Sequence, residues 1–91
     1  MDKITFQIVV DNLKCGREIE FFYNEKQYSI TNSKGYWNFC CDTENMTIER
    51  ICPFEDKETL VARVSELCIE DVPISKIFGE EGYKVSKICI L

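Results

Sequence analysis

The chain has 91 residues, of which 45% are hydrophobic and 30% charged, and its formal net charge is −5 at pH 7. This length suits one domain over residues 1–91 with a single core, and it excludes a cofactor domain beside a substrate domain. Its apolar runs are far shorter than the roughly 20 residues that cross a bilayer, and no basic segment leads into an apolar one. We therefore expect a cytoplasmic protein without a membrane partner. An acidic surface repels phosphate backbones, which argues against direct binding of nucleic acid.

The first element covers residues 5–15 and fits two patterns. One apolar set has the spacing of a helical stripe: Phe6, Val9, Val10 and Leu13. Another set alternates as in a strand: Ile4, Phe6, Ile8 and Val10. Gly16 is typical of the residue that follows a helix, and Asp2 or Thr5 can cap its start, so we predict a helix.

Four strands are predicted next, because segments rich in aromatic and β-branched residues alternate with turn residues. The strands are 17–23, 27–31, 36–41 and 46–52, and the turns are 24–26, 32–35 and 43–45. Pro53 ends the last strand since it cannot donate to a ladder. Alternation predicts that the following side chains face the core: Ile19, Phe21, Tyr23, Tyr28, Ile30, Trp37 and Phe39. Short turns between the strands indicate an antiparallel meander.

The last third of the chain predicts an amphipathic helix over residues 57–68, capped by Asp56. Its apolar stripe consists of Leu60, Val61, Val64, Leu67 and Cys68. Pro73 can then start a short helix that Gly79 stops, with Ile74, Ile77 and Phe78 as its anchors. The end of the chain, 88–91, is too apolar to stay in water, so we expect a buried strand or a strand that pairs with another chain.

The predicted fold class is therefore α+β. It combines a four-stranded antiparallel meander with an N-terminal helix and a C-terminal amphipathic helix, and a further C-terminal strand is one of the two alternatives for the chain end.

Six cysteines occur without histidine and without a C-x-x-C spacing. Zinc sites need four ligands at recognisable spacings, and adjacent Cys40 and Cys41 would point to opposite faces of a strand. A free cysteine beside apolar residues behaves as a small hydrophobe. We predict reduced core thiols, no metal and no cofactor.

Catalytic patterns are weak in this sequence. The chain contains no histidine, no G-x-S-x-G and no glycine-rich phosphate loop, so the commonest general base and anion cradles are missing. Glu18 and Glu20 could form a carboxylate pair, and Cys15 beside Lys14 and Arg17 could be a reactive thiol. A solvated strand face and an idle thiol are the simpler interpretations, and we expect no enzyme.

Acidic residues concentrate between positions 42 and 81, as a solvating surface or as a patch that complements a basic partner. Under the second interpretation the partner-binding residues are Glu49, Glu55, Asp56, Glu58, Glu66, Glu70 and Asp71. Two aromatic residues on the sheet face opposite the core, Phe22 and Tyr36, are further candidates, because exposed aromatics often anchor partners.

The stretch from Gly16 to Ile30 and the later Trp37-Asn38-Phe39 resemble a group of small proteins from Gram-positive bacteria and their phages. Those proteins share a GREIEF-Y-G-K-YSI hairpin, a Trp-x-Phe strand and a helix before a short turn, which residues 69–78 match here. The hairpin glycine of that group is Glu25 in this chain. The resemblance implies a helix before Gly16.

Its phage setting also implies an anti-defence protein, one that binds and inhibits a host protein by occluding a basic nucleic-acid-binding surface, as on a CRISPR effector or another defence nuclease. Three alternatives stay open: a non-inhibitory interaction module, a homodimer that pairs through the apolar C-terminal strand, and a small-ligand binder that uses Phe22 and Tyr36.

Overall fold

The computed structural model describes residues 5–80 and 82–91 and shows an α+β architecture. One antiparallel sheet packs against helices that share its core. The α+β class and the packing of the N-terminal helix on the sheet are confirmed. In the part of the chain that is described, no helix has the length and apolar character needed to span a bilayer.

The first element is a helix, α1 (Phe6–Lys14), so the strand pattern of this segment is not the one that forms. Thr5 caps it, because its Oγ1 accepts a hydrogen bond of 3.3 Å from the backbone N–H of Ile8. The other proposed cap, Asp2, lies outside the described residues. Gly16 follows the helix with φ of 85°, a conformation that costs glycine little.

The predicted meander forms four neighbouring strands of the sheet. Its strands are β1 (Ile19–Tyr23), β2 (Lys26–Ser33), β3 (Tyr36–Cys41) and β4 (Met46–Pro53). Phe21 lies opposite Tyr28, and Ile30 lies opposite Phe39, so one face of the sheet carries a continuous row of apolar side chains. Trp37 and Phe39 are fully buried, as predicted.

The chain continues through short elements. They are α2 (Lys57–Glu66), β5 (Cys68–Ile69), β6 (Val72–Pro73), α3 (Ile74–Ile77), a 3₁₀ turn (Gly82–Lys84) and β7 (Ser86–Ile90). The prediction that α2 reaches Cys68 is wrong, because Cys68 pairs with Pro73 in a two-stranded ladder. Pro73 is accordingly extended, with φ of −62° and ψ of 143°, and precedes α3 instead of starting it.

The C-terminal strand pairs within the chain. β7 lies beside β1, which gives the five-stranded order β4-β3-β2-β1-β7, and Leu91 extends the pairing by donating its N–H to Glu18 O at 2.8 Å. Ile88 and Ile90 pack against the core cluster. The apolar end therefore completes this sheet as an edge strand.

The thiol prediction is correct in part. All six cysteines are free, but only Cys41 and Cys52 are buried. Cys15 caps the end of α1, Cys68 lies in the short β5, and Cys89 faces away from the core opposite Glu20. These three thiols are exposed, so the expectation of a core position is wrong for them.

Candidate functional site

The predicted acidic patch is divided between the two ends of α2. Glu55, Asp56 and Glu58 lie where the helix begins, whereas Glu66, Glu70 and Asp71 lie where it ends or beyond it. A helix of ten residues is about 15 Å long. The seven predicted carboxylates therefore do not form one cluster.

Asp56 has a structural role. Its Oδ1 accepts a hydrogen bond of 3.2 Å from the backbone N–H of Thr59, and its Oδ2 accepts one of 2.7 Å from the Thr59 hydroxyl. Both bonds favour the ionised carboxylate, so they lower the pKa of Asp56, with the hydroxyl contributing most. This carboxylate is committed to capping α2.

Glu49 is also engaged, because its Oε2 lies 2.8 Å from Nη2 of Arg63 on α2. The carboxylate raises the pKa of Arg63 through this hydrogen bond and its charge. The ion pair joins α2 to β4 and neutralises one of the predicted partner-binding charges.

A denser group of carboxylates lies at one end of the sheet, opposite the end where α2 begins. Alternate turns of an antiparallel meander lie at the same end of the sheet, which brings the β1–β2 turn beside the β3–β4 turn. The β5–β6 turn joins them, because Asn24 Nδ2 donates to Glu70 Oε2 at 2.7 Å. We name these three turns, with Lys26, the acidic end. Its carboxylates are those of Glu25, Asp42, Glu44, Glu70 and Asp71. Lys26 lies among them, and Lys87 lies nearby over the Phe22 ring.

Hydrogen bonds hold several of these charges in place. Asp42 accepts from the Ser29 hydroxyl at 3.0 Å and from Gln27 Nε2 at 3.1 Å. Glu44 lies 3.2 Å from Lys26 Nζ, and this contact raises the pKa of Lys26. Three of the five carboxylates, those of Asp42, Glu44 and Glu70, are therefore held in place and lose less side-chain entropy when a partner binds.

The turns of the acidic end place carboxylate-bearing residues in the left-handed backbone region. The φ angles are 65° at Glu25, 51° at Glu70 and 69° at Asp71. Hairpin turns of this kind favour glycine, which has no Cβ, and asparagine, which tolerates this conformation. Other side chains are strained there by their Cβ. The chain thus carries carboxylate side chains at positions where any side chain has a conformational cost.

Phe22 and Tyr36 lie on the sheet face that the helices leave open, and both are half-buried. Phe22 pairs with Gln27 next to the acidic end, whereas Tyr36 pairs with Ser33 at the other end. Lys87 Nζ lies 4.8 Å from the centre of the Phe22 ring, and Arg50 Cζ lies 4.0 Å from that of Tyr36. Cations cover both rings, and the structure does not bring them together.

A shallow groove of about 330 Å³ lies between α1 and α2, lined by Lys14, Lys57, Glu58 and Val61. It is on the helical side of the sheet, away from the two aromatic candidates. Among the described residues no group of three or more histidine, cysteine, aspartate or glutamate side chains is arranged to hold a metal ion. Burial raises the pKa of Cys52, which keeps that thiol protonated.

Glu18 and Glu20 do not form a paired carboxylate site on one exposed strand. Glu18 precedes β1, and its Oε2 accepts a hydrogen bond of 2.8 Å from the backbone N–H of Asn32. Glu20 is half-buried opposite Cys89. The first carboxylate therefore extends the β1–β2 ladder.

No protein-family model matches this chain, and neither a curated protein nor a solved structure matches it. Three residues of the acidic end, Glu25, Asp42 and Glu44, are absent from the partner-binding set inferred from the sequence. The predicted meander contained the signal for them, because it already placed the first and third turns at the same end. The contact of Glu70 with Asn24 joins residues that are far apart in the sequence, and no local pattern predicts it.

Proposed function

We propose that this chain is a non-enzymatic inhibitor that binds a host protein through its acidic end. The observation that carries the proposal is that three separate turns place five carboxylates at one end of the sheet, where Lys26 pairs with Glu44 and Lys87 lies over the Phe22 ring. The host protein would be one that handles nucleic acid, such as a CRISPR effector or another defence nuclease.

The mechanism would be occlusion by charge. Fixed carboxylates take the positions that phosphates occupy on a groove lined with lysine and arginine, and the protein then blocks that groove. Long-range attraction speeds the encounter, and added salt screens it. Binding should therefore weaken as salt is raised from about 50 mM to about 500 mM, and an affinity that does not change with salt would contradict charge mimicry.

The test compares two variants that lose the same number of charges. One carries Glu25→Gln, Glu44→Gln and Asp71→Asn at the acidic end. The other carries Glu55→Gln, Glu58→Gln and Glu66→Gln before and along α2. Neither set includes Asp56, which caps α2, or Asp42 and Glu70, which accept hydrogen bonds from Gln27 and Asn24. Each tagged protein is incubated with a Gram-positive lysate at about 100 mM salt, and the retained proteins are identified by mass spectrometry.

We expect the wild type and the α2 variant to retain one nucleic-acid-handling protein that the acidic-end variant loses. The purified protein should then be displaced from its DNA or RNA by the wild type. Loss in the α2 variant alone would overturn the role of the acidic end, and retention by neither the wild type nor the variants would overturn the proposed function.

A second candidate function, a homodimer, is favoured by the position of β7. This strand is an edge of the sheet, and Leu91 next to it is 57% exposed. Two copies could pair their β7 strands antiparallel and continue the sheet. Such a dimer would be a module whose function requires two chains.

Light scattering tests the homodimer with the variant Leu91→Lys. Deletion of residues 87–91 would be less informative, because these residues also pair with β1 and pack on the core. The matched control is Ile8→Lys on α1, where the side chain is 39% exposed. A dimer that only Leu91→Lys dissociates would support β7 pairing, and a wild-type monomer would contradict it.

A further inference from the structure

The first half of β4 is an exposed strand edge. β4 ends the sheet, so on its outer side no strand of the described ranges, 5–80 and 82–91, pairs with it. Met46, Thr47 and Ile48 are all exposed, with Met46 at 49% and Ile48 at 41%. We name these three residues the β4 edge. An unpaired edge presents backbone donors and acceptors that another extended chain can use.

The β4 edge continues directly from the acidic end. Met46 follows the turn that contains Asp42 and Glu44. At the other side of the edge, Glu49 is paired with Arg63. Large apolar side chains therefore lie directly beside the carboxylates of the acidic end. Binding surfaces often combine apolar anchors with a polar rim of this kind.

We propose that the β4 edge accepts an extended basic segment of the partner protein as an added strand. The inference rests on the proposed function and names the contact through which the partner binds. Backbone hydrogen bonds to β4 supply the register, apolar side chains of the segment contact Met46 and Ile48, and its lysine or arginine side chains lie beside Glu44 and Asp42.

Charge distinguishes this edge from the other one. β7 carries Lys87, which repels a basic segment, whereas the β4 edge begins next to Asp42 and Glu44 of the acidic end.

The register of β4 limits the length of the added strand. The β3–β4 ladder shifts between Phe39 and Cys40 and again between Trp37 and Asn38, and such bulges twist an edge away from extended pairing. A partner segment therefore pairs over a short stretch. The contact should be weak and reversible by itself, and the acidic end should add most of its salt-dependent attraction.

The test is a nuclear magnetic resonance titration of the full ¹⁵N-labelled chain with a synthetic peptide of alternating lysine and valine. A control peptide of equal charge has proline in place of the central valines, because proline cannot donate to a ladder. Chain variants are Ile48→Lys at the β4 edge and Ile8→Lys on α1. Both positions are exposed, and the amide spectrum shows whether each variant stays folded.

We expect the alternating peptide to shift the amide signals of the β4 edge and of the adjacent turn. Its affinity should fall by about tenfold for Ile48→Lys and stay unchanged for Ile8→Lys, and the proline peptide should bind at least about tenfold more weakly. Equal binding of the two peptides, or shifts on β7, would overturn strand addition.

The acidic-end variant separates the two proposals. Shifts confined to the turns, lost in that variant, would contradict strand addition while supporting the acidic end as a binding surface. Peptide binding at the β4 edge that the acidic-end variant leaves unchanged would overturn both the basic character of the segment and the charge mechanism of the proposed function.

Discussion

Glu25 occupies a left-handed position, with φ of 65°, in the β1–β2 turn. Gly35 has φ of 79° in the β2–β3 turn, so the two turns place different residues in the same left-handed conformation. A Cβ at such an angle crowds the neighbouring carbonyl oxygen. Removing the Cβ at Glu25 and adding one at Gly35 therefore both measure the effect of this backbone strain on stability.

We expect Glu25→Gly to raise the free energy of unfolding by about 0.5 to 1 kcal/mol, because relief of strain exceeds the entropy that glycine gains in the unfolded chain. Gly35→Ala should lower it by about 1 kcal/mol, and nothing lies within 4 Å of the added Cβ to confuse the interpretation. Urea denaturation measures both changes, provided that the dependence of the unfolding free energy on urea concentration stays the same in the variants. A destabilised Glu25→Gly would show that the Glu25 side chain contributes contacts of its own.

Gly16 adds a packing restraint to the same backbone restraint. Its φ is 85°, and a Cβ there would lie 3.3 Å from Cζ of Phe54, which stacks on Trp37 at 5.5 Å between ring centres. Gly16→Ala should therefore lower the midpoint of urea denaturation more than Gly35→Ala does. Equal losses in the two variants would mean that the Phe54 ring moves aside freely.

At the scale of elements, α2 depends on its capping carboxylate. Asp56 has a lowered pKa in the fold, so it contributes stability above the ordinary aspartate pKa, and that contribution disappears as the pH falls through the lowered value. Asparagine keeps the cap but does not titrate. The stability of the wild type and that of an Asp56→Asn variant should therefore depend on pH differently only at acidic pH.

We expect the difference in thermal midpoint between the wild type and Asp56→Asn to be constant above about pH 5. Below about pH 4 the midpoint of the wild type should fall relative to that of Asp56→Asn. Thermal unfolding followed by circular dichroism between about pH 2.5 and pH 7 measures it. A pH-independent difference would contradict the role of ionised Asp56 as the acceptor for Thr59.

The sequence predicted elements well where local signals were strong. β3 has the predicted bounds, and β4 extends one residue further, to Pro53. Gly16 and Thr5 together explain why a segment with two patterns forms a helix. The end of α2 could not be predicted, because it depends on Cys68 pairing with Pro73, a contact that competes with helix propensity from outside the segment.

At the scale of the whole molecule, charge is distributed unevenly. The acidic end gathers five carboxylates beside Lys26, while Lys14, Arg17, Lys34 and Lys57 lie toward the end where β1 begins. The sequence showed an acidic run between residues 42 and 81 but gave no direct measure of distance in space. The regrouping of Glu25 with Glu70 and Asp71 required the tertiary structure.

Mutual repulsion at the acidic end should make the fold more stable in salt. We expect the thermal midpoint to rise between about 10 mM and about 500 mM NaCl, and to rise less in a variant with Glu25→Gln and Asp71→Asn. A variant with Glu55→Gln and Glu58→Gln is the control with the same net charge. An equal salt response in the two variants would show that net charge, and not its clustering, sets the effect.

The single tryptophan makes the molecule its own optical reporter. Trp37 is fully buried, and its Nε1 donates to Phe54 O at 3.2 Å, at the end of the sheet away from the acidic turns. Its emission should shift to longer wavelength when water reaches the indole on unfolding, while a partner seated on the carboxylates leaves it unchanged. Fluorescence can therefore distinguish loss of the fold from occupation of the surface without any attached dye.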